Sequence, residues 1–173
     1  MDHVIFYWIN TWSSRSAILD LVGVFLGVYG IYVMAGFVIT LVFIKKYSSH
    51  ALLAVVAALV GRGIIVELLK RLINRPRPYE LLNPNLLVVD MDRGVSFPSG
   101  HAVILFAIAF SFYGTKWFWP VLAAAALCSV TRVYIGVHYP SDIFASAVIA
   151  LAVVWLARRW MRQSFQFSDF RLK

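Results

Sequence analysis

The sequence predicts an all-α fold, a polytopic membrane helical bundle of about five to six transmembrane helices preceded by an interfacial helix. Three observations predict it. Hydrophobic residues make up 61% of the chain, charged residues only 14%, and the mean hydropathy is +0.79, against roughly 45–50% and about 25% in an ordinary soluble domain. The apolar residues fall in runs near the ~20 residues that a helix needs to cross a bilayer. Trp, Tyr, Lys and Arg gather at the ends of those runs, where interfacial anchors belong. At 173 residues such a bundle uses nearly the whole chain, so residues 1–173 form a single integral membrane domain with no room for a separate soluble one.

Taken in order, residues 1–13 mix Phe6, Tyr7, Trp8, Ile9 and Trp12 with polar neighbours, which suits a short helix lying in the interface. No basic start, short apolar core and small-residue cleavage site stand here, so no removable signal peptide is expected. Residues 17–44 are almost continuously apolar but carry Gly23, Gly27 and Gly30. They read either as one tilted span or as an interfacial helix that breaks near Gly30. A basic turn from Lys45 to His50 leads to a second span over 51–73, in which Glu67 and Arg71 are spaced to pair on one helix face.

Residues 74–98 form a long polar connection marked by Arg75-Pro76-Arg77-Pro78, and loops of that length in a compact domain are usually functional. Further spans are expected over 99–114, 117–135 and 141–160. Single Cys128 lies in an apolar run and reads as a small core residue. Alternation of the spans brings the end of the second, the start of the third, the end of the fourth and the start of the fifth to one face. Lys45, Lys46, Lys116, Arg158, Arg159 and Arg162, with Arg171 and Lys173 in the tail, fall on the other. The positive-inside rule makes that second face cytoplasmic and the first extracytoplasmic.

The net charge of +8 is scattered over helix ends instead of forming a stripe, which argues against a nucleic-acid partner. Its chemistry-bearing residues cluster instead at the first face. Lys70, Arg77 and Arg132 supply the positive charge that phosphoryl oxygens require, Arg through a bidentate fork and Lys as a point charge. Ser99 and Gly100 open a helix, whose N-terminal amides favour an anion. Arg75 is the nearest rival to Arg77, and the spacing from Lys70 favours Arg77. His138 and Asp142 are four apart across Pro140, so a carboxylate in the first turn of the last helix can fix the imidazole tautomer and leave the other nitrogen free for attack. His101, on a different helix, is then the general acid. This set calls for no metal or other cofactor. Asp90 and Asp92 lack a third ligand at metal-site spacing and read as a solvated loop. Arg62 and Glu67, inside a span, read as an interior supporting pair.

Lys-x6-Arg-Pro, Pro-Ser-Gly-His and Thr-Arg-x5-His-x3-Asp, in that order, resemble the signature of the type 2 phosphatidic acid phosphatase superfamily. The motif-bearing core runs from 50 to 160, and the single departure is Thr131 where the family usually has Ser. The resemblance implies a helical bundle and a phosphohistidine mechanism in which His138 attacks, Asp142 supports it, His101 donates the proton, and Lys70, Arg77, Ser99, Gly100 and Arg132 hold phosphate. Short loops and the His-Tyr-Pro-x-Asp motif are similar to the bacterial members that act on undecaprenyl pyrophosphate. Phosphatidylglycerophosphate and phosphatidate are the competing substrates, with Tyr79, Glu80 and the loop to Phe97 expected to bear on the choice. A lipid-binding or transport protein is the reading from another class, but it has no need of a supported nucleophile and an acid.

Overall fold

The computed structural model describes residues 1–88 and 94–164, and all regular structure among them is helical. The readings of Asp90, Asp92, Arg171, Lys173 and the Arg162 side chain fall outside the described residues. Helix α1 (Asp2–Asn10) lies ahead of α2 (Ala17–Val42) and α3 (Ser48–Leu72). A one-turn helix, α4 (Pro78–Leu81), interrupts the long connection, and α5 (Gly100–Ser111), α6 (Phe118–Tyr134) and α7 (Pro140–Ser164) complete the chain. Helices α2, α3 and α7 are long and apolar enough to cross a membrane, while α5 and α6 are shorter apolar helices.

Helix α5 is the axis of the bundle. Its residues Ala102, Val103, Leu105, Phe106, Ala107, Ile108 and Ala109 are all buried, packed between α3, α6 and α7. At 12 residues it spans about 18 Å, short of the ~30 Å hydrocarbon core, and its burial leaves it little surface for lipid. The outer helices are apolar all round, as a bilayer solvent permits: Leu21, Phe25, Leu59, Ile64, Phe144 and Leu151 stand exposed where acyl chains would surround them.

Residues 17–42 resolve the choice left open by sequence, because α2 is continuous. It contains a π-helical turn over Phe25–Tyr29 in place of a break at Gly30. A second π turn, Gly61–Val66, lies in α3. This explains why Glu67 pairs with Arg62 and not with Arg71: the i→i+5 geometry of a π turn brings together residues five apart, whereas the expectation of four assumed an unbroken α-helix. His50, assigned by sequence to a basic turn, is instead buried in α3 and stacked on Phe112 with ring centroids 6.0 Å apart.

Apolar burial gives little drive for helix association in lipid, so close packing of small residues must contribute. The α2–α6 seam does this through glycine. A Cβ on Gly30 would lie 2.5 Å from Cys128 Sγ, and one on Gly23 would lie 2.7 Å from the Tyr134 ring. Cys128 is thus the buried core residue that the sequence suggested. Gly30→Ala is expected to lower the detergent melting temperature by a destabilisation of about 1–3 kcal/mol, the usual cost of overpacking. Pairing it with Cys128→Ala should recover most of that loss, as followed by thermal unfolding of both variants.

Candidate active site

A cavity of about 90 Å³ opens where the ends of α3, α5 and α6 meet, and is lined by Arg62, Lys70, Arg77, Gly100, His101, Arg132 and His138, with Ile31 and Ile104. Lys70 sits in the last turn of α3, where a cation complements the helix dipole. His101 is the second residue of α5. Arg132 lies in the last turn of α6, and its Nη1 donates to the Gly27 carbonyl at 3.1 Å, inside the first π turn. Arg77 immediately precedes α4, is almost wholly buried, and donates from Nε to Gly94 O at 2.9 Å.

His138 occupies the turn between α6 and α7. That turn is tight: Gly136 has φ +88°, where a side chain would be strained, and a Cβ there would lie a close 3.2 Å from Asn85 O. Asp142 follows Pro140, the first residue of α7, as the N-terminal preference of proline suggests. Its carboxylate is fully buried. Oδ2 accepts from the Tyr139 N–H at 2.9 Å and from Ser96 Oγ, and Oδ1 accepts from Arg75 Nη1 at 2.7 Å.

His138 Nδ1 stands 3.5 Å from Asp142 Oδ2, beyond a normal hydrogen bond. Such contacts are often long before substrate binds. The ring is almost wholly buried. Burial is the main force pushing its pKa down to about 4, and the charges of Arg132 and Arg77 push the same way against the opposing Asp142. The imidazole is therefore neutral at physiological pH, with Nδ1 towards the carboxylate.

The predicted residues are only partly co-located. Lys70, Arg77, Gly100, His101, Arg132 and His138 line the cavity, with Asp142 behind His138. Ser99 does not line it. It is fully buried, and its hydroxyl accepts from the Ala102 N–H at 3.5 Å as the N-cap of α5. Thr131 is likewise turned to its own helix, donating to Cys128 O at 2.8 Å. Gly100 is needed for a reason that spacing did not show: a Cβ there would lie 2.5 Å from Arg62 Nε. Arg62, read from sequence as a supporting residue, lines the cavity directly. Sequence reasoning missed Asp2, Ser96, Arg75 and Ser141 as partners of the Asp142 end of the site; the Arg-Pro repeat was the one signal pointing to Arg75.

Comparison with known proteins fits this geometry. The model of the PAP2 superfamily matches residues 51–166. The chain belongs to that superfamily. It is 32% identical over 135 residues to an undecaprenyl-diphosphatase of Sulfolobus acidocaldarius, a match covering 76% of this chain and 66% of the relative, just under two thirds of that protein's length. The undecaprenyl-diphosphatase BcrC of Bacillus subtilis is 28% identical over 153 residues, covering 86% of this chain and 78% of the relative. Among solved structures, Aquifex aeolicus LpxE superposes with a TM-score of 0.77 at 29% identity, covering 91% of this chain and 94% of that one. As a PAP2 member the chain is a membrane phosphatase with an all-helical fold.

The buried imidazole sets an expectation for pH. Because the pKa of His138 is lowered, its neutral imidazole persists from pH 7 down to about 4 and is lost only as pH falls through that value. The acidic limb of kcat/KM, which reports the free enzyme, should therefore lie near pH 4, well below the ordinary imidazole value of about 6.5. A pH series of phosphate release checks this.

Proposed function

We propose that the protein removes the terminal phosphate of an isoprenoid diphosphate, converting undecaprenyl pyrophosphate to undecaprenyl phosphate, at the extracytoplasmic face of a bacterial cytoplasmic membrane. The cavity's charge carries this reading. Arg62, Lys70, Arg77 and Arg132 all line it, so cationic side chains from three separate parts of the chain gather at one small cavity, with Glu67 beside Arg62. A phosphate monoester carries about −1.5 to −2 at neutral pH, and a lipid diphosphate adds a second anionic phosphoryl group for the same cations to hold. The undecaprenyl-diphosphatase names of two relatives support the same choice, and Lys45, Lys46, Lys116, Arg158 and Arg159 on the opposite face support the orientation, since several basic residues of the site face are the ones assigned to phosphate.

In the reaction, Nε2 of neutral His138 attacks the terminal phosphorus in line with the bond to the bridging oxygen. That P–O bond breaks as the P–N bond forms. His101 gives its proton to the departing lipid phosphate. Asp142 stabilises the imidazolium through Nδ1, while Lys70, Arg77 and Arg132 hold the equatorial oxygens, where charge is greatest in the transition state. Neutral His101 then takes a proton from water, whose oxygen attacks phosphorus and breaks the P–N bond, releasing phosphate and restoring both histidines. Arg62, which also lines the cavity, is assigned to the phosphate that stays on the lipid. No step calls for a metal.

A phosphate monoester on a glycerolipid, phosphatidylglycerophosphate or phosphatidate, is the second reading, and the small cavity favours it to the extent that it has room for phosphate and little of a head group. Phosphate release by purified protein from the three lipids separates the two. His138→Ala should abolish turnover, and Arg132→Ala should reduce it about a hundredfold or more, the usual cost of losing one transition-state donor. Arg62→Gln should reduce turnover of the diphosphate about tenfold more than that of a monoester. Equal losses on both would remove the diphosphate argument.

A further inference from the structure

We propose that Asp2 of the N-terminal helix, acting through Arg75, is a positioning residue for the Asp142–His138 pair, so that α1 is a working part of the active site. Helix α1 lies outside the stretch matched by the family model, yet it is locked onto the site face. Phe6 is fully buried with its ring 5.8 Å from that of Tyr139, and His3 stacks on the same ring at 5.5 Å. Asn10, also buried, donates to Tyr134 O at 2.9 Å and to Asn85 O at 3.0 Å and accepts from the Asn85 N–H at 2.9 Å. Those contacts fix where Asp2 stands.

From that position Asp2 makes a continuous bridge to the candidate nucleophile. Its Oδ1 accepts from the Ser141 N–H at 3.1 Å, at the start of α7, and its Oδ2 accepts from Ser141 Oγ and from Arg75 Nη2. Arg75 Nη1 donates to Asp142 Oδ1 at 2.7 Å and to Ser141 Oγ at 2.7 Å. The guanidinium also lies over the Tyr139 ring, 4.0 Å from its centroid, which holds it by a cation–π contact. Arg75 thus has a plane, two carboxylates and a hydroxyl to fix it.

The chemical consequence follows from how the fork is divided. Asp142 is fully buried, and His138 needs its Oδ2. With Oδ1 held by Nη1, and Oδ2 by Ser96 and the Tyr139 N–H, the carboxylate is held at both ends and Oδ2 stays on the side of His138. An Arg75 facing Asp142 alone would be free to take both of its oxygens bidentately, drawing Oδ2 from the imidazole. Asp2 prevents this by holding Nη2. Burial opposes ionisation of Asp2, but Ser141 and Arg75 keep its carboxyl below the usual range, and the two carboxylates keep the Arg75 pKa above its ordinary value. All three groups are charged at neutral pH.

The inference rests on the reading of His138 as nucleophile. The test measures kcat and KM of the full chain in detergent for Asp2→Asn, Asp2→Glu, Arg75→Gln, the Asp2→Asn/Arg75→Gln double variant and His138→Ala. The substrate is whichever of undecaprenyl pyrophosphate and phosphatidate the unsubstituted protein turns over faster. Misplacement of a reacting group by about 1 Å can cost a hundredfold, so Arg75→Gln should lose about 10- to 100-fold in kcat with KM within about threefold. Asp2→Asn should lose about three- to tenfold, and Asp2→Glu should recover part of it. Because Asp2 acts through Arg75, the double variant should be no slower than Arg75→Gln alone. Unchanged kcat in Asp2→Asn, or losses that multiply in the double variant, would overturn the inference. If Arg75→Gln does not fold, Asp2→Asn against Asp2→Glu decides it alone. Normal turnover in these variants with a dead His138→Ala overturns only the positioning role, whereas turnover by His138→Ala overturns the nucleophile and the positioning role together.

Discussion

A carboxylate without any contact with solvent, at the edge of a bilayer-embedded bundle, has to be surrounded by donors or it will not remain ionised. Asp142 is that group. Its donors come from parts of the chain that share no local structure: Ser96 and Arg75 from the two ends of the long connection, and the Tyr139 N–H from the turn before α7. Helix α1 joins them through Asp2. Breaking such a buried pair from one side is far more costly than never having built it, so the demand of one carboxylate ties together α1, the two ends of the 74–98 connection and the α6–α7 turn.

The same economy of backbone groups appears in the two π turns. A π turn shifts the carbonyl ladder and is frequently found at functional sites. Here one turn presents the Gly27 carbonyl to Arg132, and the other places Arg62 beside both Glu67 and the cavity. Two long helices that need apolar surface for lipid can in this way each deliver a polar contact to a common point without being interrupted.

Much of this was legible in the chain. The apolar runs marked α2, α3, α5, α6 and α7, because a membrane helix must satisfy its own backbone and therefore shows its length in composition; the one-turn α4, inside the polar connection, had no such mark. Convergence of Lys70, Arg77, His101, Arg132 and His138 followed from charges standing at the ends of those runs. Other features left no comparable trace. An α-helix and a π turn have the same apolar content, so the partner of Glu67 was misplaced by the spacing rule. Asp2 looked like one acid among interfacial aromatics, since its partners are 73 and 139 residues away. Ser99 combined a family motif with an ordinary N-cap, and only coordinates separate the two.

The distance along the chain between Asp2 and Ser141 also bears on biogenesis. Asp2 is synthesised well before Ser141, and their contact closes a loop of 139 residues that encloses four of the five apolar helices, α2, α3, α5 and α6. It cannot form until α7 has emerged and been threaded. Assembly of the bundle and closure of this contact are therefore ordered in time: a nascent chain with most of its helices in the membrane still lacks the clasp between its two ends.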